Sequence, residues 1–240
     1  MSGSVHEATV IGINSLAREV VEWVLRTDPP EPLRFRPGQF ISLRIGEDAD
    51  GAAILRSYSI ASSPGQPELS LILKLVDGGA ASSWFRKLAL GDRVRFTGPM
   101  GFFCLDLEHA GDVVLGATGV GITPVLPMID ELLARPNEHG RVRLYWGNRS
   151  PEDLFWQEEL AARVRAHDRL EVRTYVTAEA PGWSGLRGRI TPAVLADLGE
   201  LSRPVFYLVG NGAMIRELKG ELVSRGVDRK RQIRNEAFFE

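Results

Sequence analysis

The feature that most constrains this fold is a change of rhythm near "LDLEHAGD", residues 105–112. Before it the chain reads as short strands. "EVVEWVLRT" alternates, with Val20, Glu22 and Val24 set against Val21, Trp23 and Leu25. "GQFISLRI", "LRSYSIAS", "ELSLILKLV" and "DRVRFTG" are further runs of β-branched and aromatic residues, punctuated by glycine and proline. Closely spaced short strands predict a small antiparallel barrel, interrupted by one helix over "SSWFRKLAL". After the change, strands and helices alternate. "DVVLGA", "RVRLYWG", "LEVRTYV", "PVFYLVG" and "RQIRNEAFF" read as strands. "TPVLPMIDELLAR", "PEDLFWQEELAARVRA", "TPAVLADLG" and "AMIRELKGELVSRG" read as helices. That alternation predicts a five-stranded parallel sheet with helices on both faces. The sequence contains no internal repeat and no low-complexity segment.

Composition removes several function classes. A net charge of −2 over 240 residues argues against general nucleic-acid or membrane-surface binding. No apolar run is long enough for a membrane span, and the N-terminal residues do not form a secretory signal, so a cytoplasmic protein is expected. The single cysteine, Cys104, excludes an internal disulfide and a cysteine-ligated iron–sulfur or zinc site within this sequence. His6, His109, His139 and His167 lack metal-ligand spacing, and no metal site is expected.

Two glycine clusters carry the chemistry of the second half. "LGATGVGITPV" takes a buried strand through Gly116, Gly119 and Gly121 into a helix expected to open at Thr123 and Pro124. Glycines admit a close ligand approach, and helix-start N–H groups suit a phosphate. The spacing G-x-x-G-x-G is not the usual dinucleotide fingerprint, and a simple tight turn is the competing reading. "VGNGAMI" repeats the strand-to-helix arrangement, so both loops are expected to border one crevice at the sheet's switch point. In the first half, "RSYSIASSP" places a guanidinium, a phenol and hydroxyls at a strand end. A solvated barrel edge and a grip for a flat phosphorylated cofactor both fit that composition.

Five stretches in order, "RSYSIAS", "DGGAASSWF" with "GPMGFF", "GATGVGITP", "YWGNRSPEDL" and "LVGNGAMI", together with the "EAFF" tail, resemble the ferredoxin–NADP reductase superfamily over nearly the whole chain. The resemblance implies a six-stranded antiparallel FAD-binding barrel over 1–108. It implies an NAD(P)-binding α/β domain over 109–240, whose C-terminal tail returns to the flavin. Arg56 would pair with the flavin pyrophosphate, as a bidentate guanidinium can. Tyr58 would lie on the isoalloxazine face and Ser59 near its N5, the two residues nearest the chemistry. Ile60 and Lys74 would line the same site. Gly79, Ala81 and Ser82 would hold the pyrophosphate, Ser82 being equally readable as a plain helix cap. "GPMGFF" would link the two domains.

For the pyridine nucleotide, the resemblance implies contacts from Thr118, Gly119, Gly121 and Ile122, and from Gly210, Asn211, Gly212 and Met214. Arg149 and Arg189 stand where NADPH-using members often carry cations for the 2′-phosphate, so NADPH is expected ahead of NADH. Many relatives have a cysteine before the second glycine loop; here the strand ends Val209-Gly210-Asn211. Plant-type members end in a tyrosine that covers the flavin. This chain ends "EAFFE", which implies Ala237 at the isoalloxazine and Phe238 on the adenine, against a core-packing role for the two phenylalanines.

The expected reaction passes a hydride from NAD(P)H to FAD and electrons onward to ferredoxin or flavodoxin. Arg225, Arg229, Lys230, Arg231 and Arg234 form a basic stretch that could steer such a carrier, or a merely solvated helix end. Alternatives are a free-flavin reductase, the reductase component of an oxygenase or iron–sulfur enzyme system, and a non-catalytic electron-transfer subunit.

Overall fold

The computed structural model describes residues 4–29, 31–135 and 140–239, so His139 lies outside the described residues. The chain divides into two compact units, residues 1–105 with 126–128 and residues 106–125 with 129–240.

The first unit contains β1 (Val5–Ala17), β2 (Val20–Asp28), β3 (Phe40–Glu47), β4 (Ala53–Ser59), β5 (Glu68–Lys74), α1 (Ala80–Phe85) and β6 (Arg93–Met100). The strands form one sheet in the order β4-β3-β6-β1-β2-β5, antiparallel throughout. An Ile60–Leu71 bridge brings its two edges together and closes the barrel. The strand without an expected run is β1. Gly12, Asn14 and Ser15 dilute its pattern, and its register shifts between Val10 and Gly12 and again between Ser15 and Ala17. Its place comes from pairing with both β2 and β6. In β2, Trp23 and Leu25 belong to the barrel core and Val21 packs against it, following the alternation, while Val20 of the opposite set is buried at the strand's start. The helix begins two residues earlier than "SSWFRKLAL" and stops at Phe85; beyond it, the Asp92 carboxylate accepts the Ala89 N–H at 2.8 Å and turns the chain toward β6. Phe85 plugs the barrel. Its ring lies 4.6 Å from Trp23 and 5.1 Å from Tyr58, the latter edge-on.

The second unit runs β7 (Val113–Thr118), α2 (Val125–Leu133), β8 (Val142–Asn148), α3 (Gln157–Ala166), β9 (Leu170–Val176), β10 (Leu186–Arg187), α4 (Ile190–Ala196), β11 (Val205–Asn211), α5 (Gly212–Ser224) and β12 (Ile233–Phe239). All pairings are parallel, in the order β10-β9-β8-β7-β11-β12. The sheet therefore has six strands, not five. The extra one, β10, is two residues long and pairs only with the end of β9, too short to leave a pattern in sequence. Every residue of β8 is buried, as a strand covered by helices on both faces must be. Two of the helices, α2 and α3, start later than their sequence patterns. Gly119–Ile122 forms a 3₁₀ turn and α2 opens at Val125 behind Pro124, while Pro151–Asp153 is a separate 3₁₀ turn ahead of α3.

A charge cluster fastens the end of α4 to β8 and β9. Asp197 accepts the Tyr145 hydroxyl and, at 2.6 Å, Nη1 of Arg173. Arg143, 4% exposed, lies 3.5 Å from Asp197, 3.3 Å from Glu171 and 3.2 Å from Glu200. Burial and the adjacent Asp197 carboxylate push the Tyr145 phenol well above its ordinary range.

Candidate functional site

The two units carry separate candidate sites. In the first, β4 is a barrel strand whose middle is uncovered: Leu55, Arg56 and Ser57 are all exposed. Among the described residues the Arg56 guanidinium donates to the neighbouring Leu55 carbonyl, at 2.8 Å, which leaves most of its donors for a ligand. Tyr58 is half-buried and its ring plane is set edge-on against Phe85. Burial pushes its phenol up to about 12, with Arg56 opposing that rise, so Tyr58 is a neutral hydrogen-bond donor at physiological pH. Ser59 and Ile60 are buried at the end of the strand, and Lys74 is half-buried at the end of β5. Phe85 thus joins β4 to α1, the two elements that carry the expected flavin contacts.

At the α1 start, Gly79 is the N-cap and Ser82 stands inside the first turn, so Ser82 is not the cap. Its Oγ accepts the Val76 N–H at 2.9 Å and braces the preceding loop. Ala81 is half-buried beside it. N–H groups of a first helical turn have no partner within the helix and remain for a ligand. An exposed arginine, a fixed aromatic plate and a helix start are the donor set that a flavin nucleotide requires.

In the second unit, the strand order reverses between β7 and β11, and both glycine loops leave the carboxyl ends of these neighbours. The loops touch. Thr118 Oγ1 accepts the Asn211 N–H at 2.8 Å. A Cβ on Gly121 would stand 2.9 Å from Gly210 Cα, and one on Gly210 would stand 2.4 Å from Thr118 Oγ1. The glycines divide by purpose. Gly116 and Gly121 permit packing, whereas Gly119 has φ +53° and nothing within 4 Å of a Cβ, so it alone faces open space. Ile122 is fully buried under the turn. Asn211 caps α5, its side chain accepting the Met214 N–H at 3.1 Å, and Gly212 is buried as the first helical residue.

Arg149 and Arg189 are both exposed. Arg189 is the α4 N-cap and lies 3.3 Å from Glu217, so part of its charge is already matched. Sequence reasoning missed four neighbours. Because β8 and β9 end level, the chain after each runs side by side: Ala178 N–H donates to the Arg149 carbonyl at 2.8 Å, and Glu179 is the next residue along the chain. Arg187, in β10, is held by the carbonyls of Ala180 and Trp183, each at 3.1 Å. Asn148 is 4% exposed, yet neither polar atom of its amide has a partner among the described residues. An orphaned amide at the carboxyl end of a central parallel strand fits a site built for a polar ligand. Trp146, fully buried, donates its indole N–H to the Gly119 carbonyl at 2.9 Å. Only the adjacency of "WGNR" and "YVTAE" in a parallel sheet could have pointed to Glu179 from sequence.

The "EAFF" tail forms part of β12 and pairs with β11, with Ala237 opposite Gly210. Ala237 is exposed there and Phe238 half-buried. In the basic stretch, Arg225 pairs with Glu221, Arg231 lies 4.0 Å from Asp228, and Arg234 donates to backbone carbonyls. Among the described residues no group of three His, Cys, Asp or Glu could hold a metal, and no helix is long and apolar enough to cross a membrane.

Comparison with known proteins agrees with this division. Residues 7–104 match the oxidoreductase FAD-binding domain and residues 115–219 the oxidoreductase NAD-binding domain. The chain is 32% identical to ferredoxin–NADP reductase B of Sorangium cellulosum (strain So ce56), covering 93% of this chain and 94% of that one. It is 30% identical to the ferredoxin–NAD(P)(+) reductase component of the naphthalene 1,2-dioxygenase/salicylate 5-hydroxylase systems of Ralstonia sp, over 88% of this chain and 62% of that one. The solved Amycolatopsis cytochrome P450 reductase GcoB superposes with a TM-score of 0.86 at 29% identity, covering 99% of this chain and 70% of that one. A flavin-type barrel, a parallel sheet with paired glycine loops at its switch point, and this degree of identity place the chain in the ferredoxin–NADP reductase superfamily.

Proposed function

We propose that this FAD- and NAD(P)-binding oxidoreductase delivers electrons from NADPH to a small acidic carrier of the ferredoxin or flavodoxin type. The observation that carries the reading is the uncovered β4 strand, where an outward Arg56 and a Tyr58 plate locked against Phe85 stand ready for a flavin. FAD, when bound, would supply the redox chemistry between the nicotinamide and the acceptor. The chain binds, orients and shields. Arg56 takes the flavin diphosphate, together with Gly79, Ala81 and Ser82 at the α1 start. Tyr58 supports the ring, Ser59 offers a hydroxyl to its N5 edge, and Ile60 and Lys74 complete the wall. Thr118, Gly119, Gly121 and Ile122, with Gly210, Asn211, Gly212 and Met214, seat the pyridine nucleotide. By the resemblance, Ala237 and Phe238 of the tail are further candidates for contacts to the bound cofactor.

Arg149 and Arg189 favour the 2′-phosphate of NADPH; Glu179, the residue after the Ala178–Arg149 backbone bond, favours the free ribose of NADH as a second reading. Arg229, Lys230 and Arg234 carry the net positive charge left in the basic stretch and steer the carrier. The Ralstonia relative supports an oxygenase system as the alternative acceptor.

The test is steady-state reduction of cytochrome c through added ferredoxin or flavodoxin by the purified protein. A yellow protein that releases FAD on denaturation, with carrier-dependent turnover that falls as salt rises, supports the proposal. A colourless protein that reduces only added free flavin replaces it with the free-flavin reductase reading. Salt-insensitive turnover removes the basic stretch from the partner site.

A further inference from the structure

A buried indole N–H usually has an acceptor, because leaving it unpaired costs as much as a lost hydrogen bond; Trp23, whose buried N–H has no partner among the described residues, is the contrasting case. Trp146 meets that need with one specific atom, the Gly119 carbonyl at 2.9 Å. Gly119 is the residue of the first glycine loop that faces open space, and its φ of +53° is one of many that glycine could adopt. On the other flank the loop is already held: Thr118 Oγ1 accepts the Asn211 N–H at 2.8 Å, and Gly121 abuts Gly210. Trp146 is the matching anchor on the β8 side.

The consequence follows from peptide geometry. In a trans peptide the C=O and N–H point in opposite directions. With the Gly119 carbonyl turned toward the indole, the Val120 N–H of the same peptide points away from it. Val120 lies in the first part of the 3₁₀ turn, where N–H groups have no partner within the turn. The indole is itself held in place. Its ring lies 5.3 Å from Phe155 at 83°, and Phe155 lies 5.1 Å from Trp156. Trp156 adopts φ +56°, a strained conformation for a bulky residue, and so turns the chain into α3 with Phe155 against the indole.

We propose that Trp146 is a positioning residue for the pyridine nucleotide: its N–H fixes the Gly119–Val120 peptide so that the Val120 N–H is presented to the bound phosphates. This rests on the reading of the first glycine loop as the nucleotide loop. Trp146 itself does not touch the ligand.

The experiment compares holoprotein carrying Trp146→Phe, Trp146→Tyr or Leu144→Ala with wild type. Leu144 is fully buried on the same face of β8, so its truncation destabilises the sheet without removing the indole donor. The readouts are the Kd of NADP⁺ and of NAD⁺ by calorimetry, hydrogen exchange of residues 117–123 without nucleotide, and the KM and kcat of ferricyanide reduction. Both Trp146 variants are expected to raise Kd and KM about fivefold to tenfold, with kcat within about twofold, as for one lost hydrogen bond. Exchange in 117–123 should quicken in those variants only. Unchanged Kd and exchange in a folded Trp146 variant, or equal changes in Leu144→Ala, overturn the proposal. Wild-type holoprotein that binds neither nucleotide overturns the underlying loop reading instead, and the proposal falls with it.

Discussion

Gly210 offers the sharpest physical test of how the two loops are joined. A methyl group at this position would stand 2.4 Å from Thr118 Oγ1, 2.7 Å from Thr118 O and 3.1 Å from Thr118 N, two of them backbone atoms that cannot step aside. The residue also sits at φ +115°, a region that side chains rarely enter. Gly210→Ala therefore adds backbone strain of about 1–3 kcal/mol, overpacking of about 1–3 kcal/mol, and loss of much of the Asn211–Thr118 hydrogen bond, about 1 kcal/mol. The expected total is about 4 kcal/mol, or a fall in Tm on the order of 10 °C for a chain this size. Gly119→Ala is the control. It also lies at positive φ, +53°, but meets nothing within 4 Å, so only about 1 kcal/mol of conformational strain is expected. Urea denaturation of both variants, followed by circular dichroism, measures the difference. Equal destabilisation would refute the claim that the loops are locked by steric contact, and with it the idea that both glycine clusters build a single rigid edge.

Tyr58→Phe should remove a phenol that titrates near 12, seen as a late absorbance step at alkaline pH. Because the folded value is raised above the ordinary tyrosine value of about 10, wild-type stability from this group is complete below about pH 10 and declines as pH rises toward 12; an early step common to all tyrosines contradicts this. Asp197→Asn should cost about 3 kcal/mol, since it strips a carboxylate from Tyr145, Arg173 and the buried Arg143, and a loss below about 1 kcal/mol in urea denaturation argues against a cooperative cluster. Arg149→Ala and Arg189→Ala should each lower kcat/KM for NADPH about fivefold while sparing NADH. If their NADPH/NADH ratio stays constant and Glu179→Gln instead improves NADPH use, the free-ribose reading stands.

Much of this architecture is visible in the sequence because it comes from local periodicity. The buried runs "RVRLYWG" and "PVFYLVG" could only be central parallel strands, and the glycine clusters behind "DVVLGA" and "PVFYLVG" mark where their chains must turn sharply. The residues of "RSYSIAS" are legible as site candidates because arginine, tyrosine and serine side chains at a strand end suit phosphates and a flat ring, although a solvated barrel edge has the same composition. β1 and β10 were not legible. One is diluted by glycine and polar residues and held by two neighbours; the other exists only because β9 offers it an edge.

Composition and pattern alone determined two units of different grammar, the strand-to-helix glycine turns, and the side-chain types available for phosphates and a flat ring. Tertiary structure decided which of those groups are still available. It engaged the Ser82 hydroxyl oxygen as acceptor in a loop brace, leaving its proton to donate, and matched part of the Arg189 charge with Glu217. It paired the backbone of Ala178, just before Glu179, with Arg149 and the indole of Trp146 with Gly119 across segments far apart in sequence. Periodicity is a property of neighbours along the chain, whereas hydrogen-bond partners and charges are chosen across the sheet, where a one-residue change in register selects a different side chain.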